Sequence, residues 1–184
     1  MTPVEILMNE HRNVERMLDC LEAMTITFLA ERRIDSTFAR EAVAFLQEYA
    51  DRCHHSKEEG QLFAALEAKG LCPHSGPTSA MRSEHIEGRA RIQEMADAIA
   101  AGERNDDEAP TRFARAARTY LELLRKHIQK EDECLYPLAS NVLDTQAMQE
   151  LQKHFARFER DEMAASANAG MLKSLVRLEE RFKK

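Results

Sequence analysis

Six residues in this sequence have the types and the spacing to grip metal ions. His54 and Glu58 lie four apart, as do His127 and Glu131, while His11 and His85 stand alone. On a helix, an i, i+4 pair sits on one face with its Cβ atoms about 6 Å apart. Side chains of that reach can hold one ion or two adjacent ions. All six fall within apolar stripes, where an unpartnered carboxylate is very costly, so the two glutamates call for cations. A lone His on such a stripe is more often a core residue, and a lone HxxxE is often a surface pair. The signal is the combination of two HxxxE pairs with two single His on four converging stripes.

Imidazole and carboxylate together suit iron, manganese, zinc and copper. Six ligands exceed the four that close a structural zinc site. They suit two octahedral ions bridged by the two carboxylates, with solvent completing the shell. The ferritin-like arrangement uses a Glu from each of two helices and two ExxH motifs; the reversed order and four-residue spacing here argue against it. A histidine-rich set is also less negative than a carboxylate-rich one, which weakens the drive toward high oxidation states.

The elements that must position these residues are helices. Thr2 and Glu5 form a capping box with Pro3 in the first turn, predicting a helix from about Pro3 to Glu31 with the stripe Leu7, His11, Val14, Leu18, Leu21. Asp35 or Ser36 caps a second helix, about Thr37 to Lys69, with Val43, Leu46, Ala50, His54, Glu58, Leu62 and Leu66 inward. Gly70 ends it. Thr78 or Ser79 caps a third, ending near Gly102, with Met81, His85, Gly88, Ile92, Met95 and Ile99 inward. After a polar turn to Pro110, a fourth runs to about Ser140 on Phe113, Ala117, Tyr120, Leu124, His127, Glu131, Leu135 and Leu138, and Pro137 should kink or end its last turn. Asp144 caps a fifth, to about Met163. A small-residue break over Ala164 to Gly170 precedes a short helix with Leu172, Leu175, Val176 and Phe182 on its apolar face. The fold class is all-α, an up-down four-helix bundle with one or two additional C-terminal helices. Residues 1–184 read as one domain, with the core bundle in 1–140 and the extension in 141–184.

Composition agrees and excludes several function classes. The 184 residues include 6 Gly, 5 Pro and no Trp, with abundant helix formers. The net charge of -6, with acids and bases interspersed, has no basic stripe for nucleic acid. No apolar run reaches the roughly 20 residues of a membrane span, and the N-terminus has no signal-peptide pattern. Cys20, Cys53, Cys72 and Cys134 form no CxxC pair, so reduced thiols in a cytoplasmic protein are the simpler reading. No feature singles out a protein partner.

Several stretches together carry a family resemblance. They are Glu10-His11-Arg12; His54-His55-Ser56-Lys57-Glu58-Glu59 followed by Leu62-Phe63; Met81 and Glu84-His85 followed by Gly88-Arg89; and His127-Ile128-Gln129-Lys130-Glu131-Asp132-Glu133 followed by Leu135-Tyr136-Pro137. Over about Met1 to Ser140 the chain resembles the hemerythrin-like HHE cation-binding family. The resemblance implies a non-haem di-iron centre, two Fe ions bridged by two carboxylates and an oxo or hydroxo group. Its ligands would be His11, His54, Glu58, His85, His127 and Glu131; zinc or manganese are the alternative metals. Aligning the two HxxxE halves on Leu62-Phe63 and Leu135-Tyr136 selects His54 and Glu58, leaving His55 and Glu59 beside the site or at the surface.

Oxygen-carrying hemerythrins use a fifth His, as HxxxH on the third helix. Here the residues four away from His85 are Met81 and Arg89, and His74 and His154 are remote substitutes. Four His and two Glu put simple O2 carriage in doubt and favour reactivity toward peroxide, O2 or nitric oxide at an open site. Similar sets occur in di-iron proteins implicated in iron–sulfur repair, so sensing or iron delivery stands as the alternative. Gly88 reads as close helix packing or as room for a small ligand. Glu15 reads as a hydrogen-bond partner of His11 or as surface charge, and Tyr120 as core or as a redox-active phenol. Cys53 and Cys134 read as core packing, and Lys57, Lys126 and Lys130 should point away from the site.

Overall fold

The stripes expected on the four bundle helices are helical and, Leu138 apart, buried. The computed structural model describes residues 1–161 and 165–182. Helix α1 spans Pro3–Glu31, α2 residues 36–68, α3 Pro77–Gly102, α4 residues 109–142, α5 Thr145–Asp161 and α6 Ala165–Phe182, and no strand occurs among the described residues. The capping box opens α1: the Glu5 N–H donates to Thr2 Oγ1, and the Thr2 N–H donates to the Glu5 carboxylate. Such a cap contributes about 1 kcal/mol. Asp35 accepts from the N–H groups of Thr37 and Phe38 at the start of α2, and Asp144 from that of Ala147 at the start of α5. Gly70, at φ 104°, closes α2 in a left-handed turn that a Cβ would strain.

Helices α1 to α4 pack in a closed ring, α3 on α4, α4 on α1, α1 on α2 and α2 on α3. Helix α6 lies against α1 and α2, and α5 against α1 and the second half of α2. The core is in two parts. One holds Val14, Leu18, Phe28, Phe45, Ala50, Ile92, Phe113 and Tyr120. The other holds Leu7, Leu62, Phe63, Met81, Leu135, Tyr136, Leu151 and Phe155. On every bundle helix the candidate ligands fall between these parts: Leu7–His11–Val14 on α1, Ala50–His54–Leu62 on α2, Met81–His85–Ile92 on α3, and Ile128–Glu131–Leu135 on α4. Helices α1 and α3 pass from the second part to the first, and α2 and α4 the reverse, which is the up-down order. Among the described residues no helix is long and apolar enough to cross a membrane.

Helices α2 and α4 are not uniformly α. Leu46–His55, Glu58–Leu62 and Glu131–Leu135 are π-helical. The Ser56 N–H donates to the Asp51 carbonyl, that of Phe63 to Glu58, and that of Tyr136 to Glu131, each five residues back. The stripe of α2 carries the trace of this. From Leu46 to Leu66 it advances by four at every step, whereas a 3.6-residue helix must alternate threes and fours. Widened turns absorb the extra residues and keep the stripe on one face. They also explain Pro137. Its ring would clash with an α-helical carbonyl four residues back, but the π turn just before it opens that contact, and α4 continues to Val142.

Other expectations need correction. Helix α3 is preceded by Gly76 and starts at Pro77, so neither Thr78 nor Ser79 caps it. Leu138 is half-buried, and Ala139 takes its core position. The expected break at Ala164 to Gly170 is helical from Ala165 onward, while Ala164 and Met163 lie outside the described residues. On α6 the buried pair is Leu175 and Leu178, and Val176 is exposed. Cys53 is buried as expected, but Cys134 is exposed.

Gly88 shows close packing. A Cβ there would meet the Tyr120 ring at 3.5 Å, an ordinary contact. Alanine therefore fits, and Gly88→Ala is expected to stabilise the fold by about 1 kcal/mol through helix propensity. Urea denaturation checks this; a destabilised variant would show that the glycine is sterically required.

Candidate metal centre

The bundle brings all six candidate residues into one buried layer. His11, His54, His85 and His127 are each 1% exposed, and Glu58 and Glu131 are 0% exposed. They form two groups of converging ligand atoms, each within 4.8 Å: His11, His54, Glu58 and Glu131, and His55, Glu58, His85 and His127. Two ligands about 2.1 Å from a common octahedral ion lie at most about 4.2 Å apart, so each group is close to the size of one coordination sphere.

Both carboxylates reach both groups. Glu58 Oε2 is 3.6 Å from His54 Nε2 and 3.5 Å from His85 Nε2. Glu131 Oε2 is 3.2 Å from His11 Nε2 and 3.1 Å from His127 Nε2. Each carboxylate therefore spans the gap between the two histidine sets, as a bridge would.

Every histidine in the layer is oriented in the same way. His11 Nδ1 donates to Asp132 at 2.7 Å, His54 Nδ1 to Glu10 at 3.0 Å, and His55 Nδ1 to Asp51 at 3.2 Å. His85 Nδ1 donates to Glu59 at 2.6 Å and His127 Nδ1 to Glu84 at 2.9 Å. Each carboxylate is in turn held by a cation: Asp132 by Arg12, Glu10 by Lys57, Asp51 and Glu59 by Arg89, and Glu84 by Lys130. A carboxylate on Nδ1 fixes the tautomer, aims Nε2 at the cavity and raises its basicity, as such partners do in metal sites.

The electrostatics without metal show what the layer lacks. Burial, and then the Glu131 charge, push the Glu58 carboxyl well above its usual range. Burial would also raise Glu131, but His127 and His11 outweigh it and hold the carboxylate well below. Burial disfavours charge on His127, yet Glu131 and Glu84 bring it up to about 9. Burial, and then the neighbouring imidazole charge, push His54 well down and His55 down to about 3. Asp51 and Glu59 sit at about 2: burial opposes this, and hydrogen bonds from His55 or His85 and from Arg89 overcome it. The Nε2 atoms of His85 and His127 stand 3.1 Å apart with both Nδ1 protons already committed. A shared proton or a cation must lie between such atoms. Glu58 Oε2, Glu131 Oε1 and His54 Nε2 are buried without a hydrogen-bond partner. An unmet buried polar atom costs about 1–3 kcal/mol. The donor set therefore fits metal cations.

Lys57 departs from the sequence reading, and His55 and Tyr136 extend it. His55, expected beside the site or at the surface, is 5% exposed and belongs to the second ligand group, so the layer holds five imidazoles. Lys57, expected to point outward, is fully buried against Glu10. Tyr136 had been only part of a motif, yet its hydroxyl donates to Glu58 Oε1 at 2.7 Å and lies 3.3 Å from His11 Nε2. Glu59, read as beside the site or at the surface, lies beside it as the partner of His85. Glu15 pairs with Arg12 at the surface. Tyr120 is core, and His74 and His154 are exposed.

Fold and site together define a helical-bundle domain built to hold metal cations. The chain matches the family model for the hemerythrin HHE cation binding domain over residues 2–139. It belongs to that family. No curated protein and no solved structure matches it.

Proposed function

We propose that the protein holds a pair of iron ions on His11, His54, Glu58, His85, His127 and Glu131, and that the pair binds or reacts with a small oxidant or gas (peroxide, O2 or nitric oxide) in oxidative or nitrosative stress defence. The observation that carries the reading is the pair of carboxylates, buried between two histidine sets with one oxygen of each unpartnered. Iron bound there would supply one-electron chemistry and a coordination position for a small ligand; zinc or manganese suits the same donors.

The chain's own residues set the conditions. The Nδ1 carboxylates lock each imidazole in a ligating orientation. Apolar layers on both sides exclude water and strengthen every charge interaction within. Tyr136 keeps its proton, because burial and the Glu58 charge push its phenol well up, so it offers an O–H donor inside the cavity. The same two layers favour retention of metal: handing iron to another protein would require parting them, which weighs against delivery.

Stopped-flow mixing of reduced, iron-loaded protein with O2, peroxide and nitric oxide tests the reading. At least one reagent is expected to react rapidly with wild type and slowly with His54→Ala. A protein inert to all three would overturn the reactivity, and well under one iron per chain after expression with iron would overturn the metal pair.

A further inference from the structure

We infer that the π-helical turns of α2 place the adjacent imidazoles of His54 and His55 on two different metal ions, making His55 a ligand together with His85 and His127. This rests on the metal pair proposed above. Neighbouring residues of an α-helix diverge by about 100° and do not share a face. One buried and one exposed side chain is the ordinary outcome for such a pair. Here both are buried, with ring centroids 5.6 Å apart.

Their surroundings separate them. His54 lies 4.5 Å from the His11 ring, and its Nδ1 is held across the bundle by Glu10 of α1. His55 stacks on His85 at 3.8 Å and 14°, and its Nδ1 is held by Asp51 of its own helix. Arg89 of α3 completes the second arrangement. Its guanidinium binds Asp51 at 2.8 Å and Glu59 at 2.8 Å, and these two carboxylates orient His55 and His85. One cation thus aligns two stacked imidazoles from two helices. A histidine placed only for packing would need no such clamp.

The local backbone makes this possible. His55 ends the Leu46–His55 π segment, and Asp51 lies at its accepting position for the Ser56 N–H. A π turn rotates less per residue than an α turn, so consecutive side chains splay less. Single π turns inside α-helices recur at functional sites. Met81 and Arg89, one turn either side of His85, supply no ligand: the first is in the core and the second is the clamp. The extra imidazole comes from α2 instead. The two ions would then be inequivalent, one on His55, His85 and His127, the other on His11 and His54, with Glu58 and Glu131 between them.

The test is metal content and spectroscopy of the full-length chain, with His55→Ala and His55→Gln beside wild type and His74→Ala, whose parent side chain is exposed. Circular dichroism establishes that each variant is folded. Both His55 variants are expected to lose one ion, or to bind it at least about 100-fold more weakly, with Mössbauer spectra of the remaining iron collapsing from two environments to one. Added free imidazole should restore the second ion in His55→Ala. Wild type and His74→Ala should keep both. If wild type holds two irons and the His55 variants do too, with unchanged spectra, His55 is no ligand while the pair stands. If wild type itself holds under one iron, the pair falls and this assignment with it.

Discussion

Glu58→Gln is expected to cut bound iron from about two ions per chain to below one while leaving the metal-free protein as stable as wild type, or up to roughly 1 kcal/mol more stable. Glu58 is fully buried, its Oε2 has no partner, and burial and then the Glu131 charge favour its neutral form. Without metal it is a cost that the fold carries. Glutamine keeps the shape, still accepts the Tyr136 hydroxyl through Oε1, and stays neutral without having to hold a proton. It cannot bridge two cations. Glu131→Gln should behave oppositely in the metal-free state. Glu131 lies between His11 and His127, 3.2 and 3.1 Å away; against the pull of burial, Asp132 and then Glu131 raise His11, and Glu131 raises His127. Removing one partner of a buried pair costs about 3–5 kcal/mol. Both variants lose metal, but only Glu131→Gln should destabilise the chelator-treated protein. Elemental analysis and urea denaturation read the two effects. Glu58→Gln with full iron would refute the bridging role; equal destabilisation by both would refute the electrostatic account.

Saturating the metal-free protein with Fe(II) or Zn(II) should raise the thermal midpoint by roughly 8–16 °C. Metal at about 1,000 times its Kd contributes about 4 kcal/mol, and each kcal/mol shifts the midpoint of a chain this long by about 2–4 °C. The structural reason is the polar layer between two apolar cores, which keeps Glu58 Oε2, Glu131 Oε1 and His54 Nε2 unpartnered and two imidazole Nε2 atoms 3.1 Å apart. Cations answer each of these at once. The gain should shrink as pH falls from about 8 to 6. His127, held at about 9, and Glu58, held well up, must surrender protons to bind metal, and lower pH favours the protonated, metal-free state. Calorimetry with and without metal at both pH values checks this. An unchanged midpoint, or a gain that grows toward acid, would contradict it.

Much of the fold and of the site was legible in one dimension. Helix caps at Thr2, Asp35 and Asp144 are local hydrogen bonds, readable wherever the right side chain precedes an apolar period. The HxxxE pairs stand out because burying Glu58 or Glu131 is costly, whatever the topology. The uniform four-residue step from Leu46 to Leu66 was also legible, and it marks the π turns that a 3.6-residue reading smooths away. For His55 the same reading left two places open, beside the site or at the surface, and the fold buries it beside the site.

The sequence by itself determined an all-helical chain whose stripes carry His11, His54, Glu58, His85, His127 and Glu131, since periodicity and burial cost are properties of each helix alone. Only the tertiary structure decided which carboxylate meets which imidazole. Asp132 reaches His11 across 121 positions, Glu10 reaches His54 across 44 and Glu84 reaches His127 across 43. On their own helices these acids look like ordinary polar neighbours of the motif. Their role depends on how neighbouring helices rotate and slide against one another, and that is set by the whole core rather than by any local spacing. The same packing brought His55 onto His85, and so turned four expected imidazoles into five.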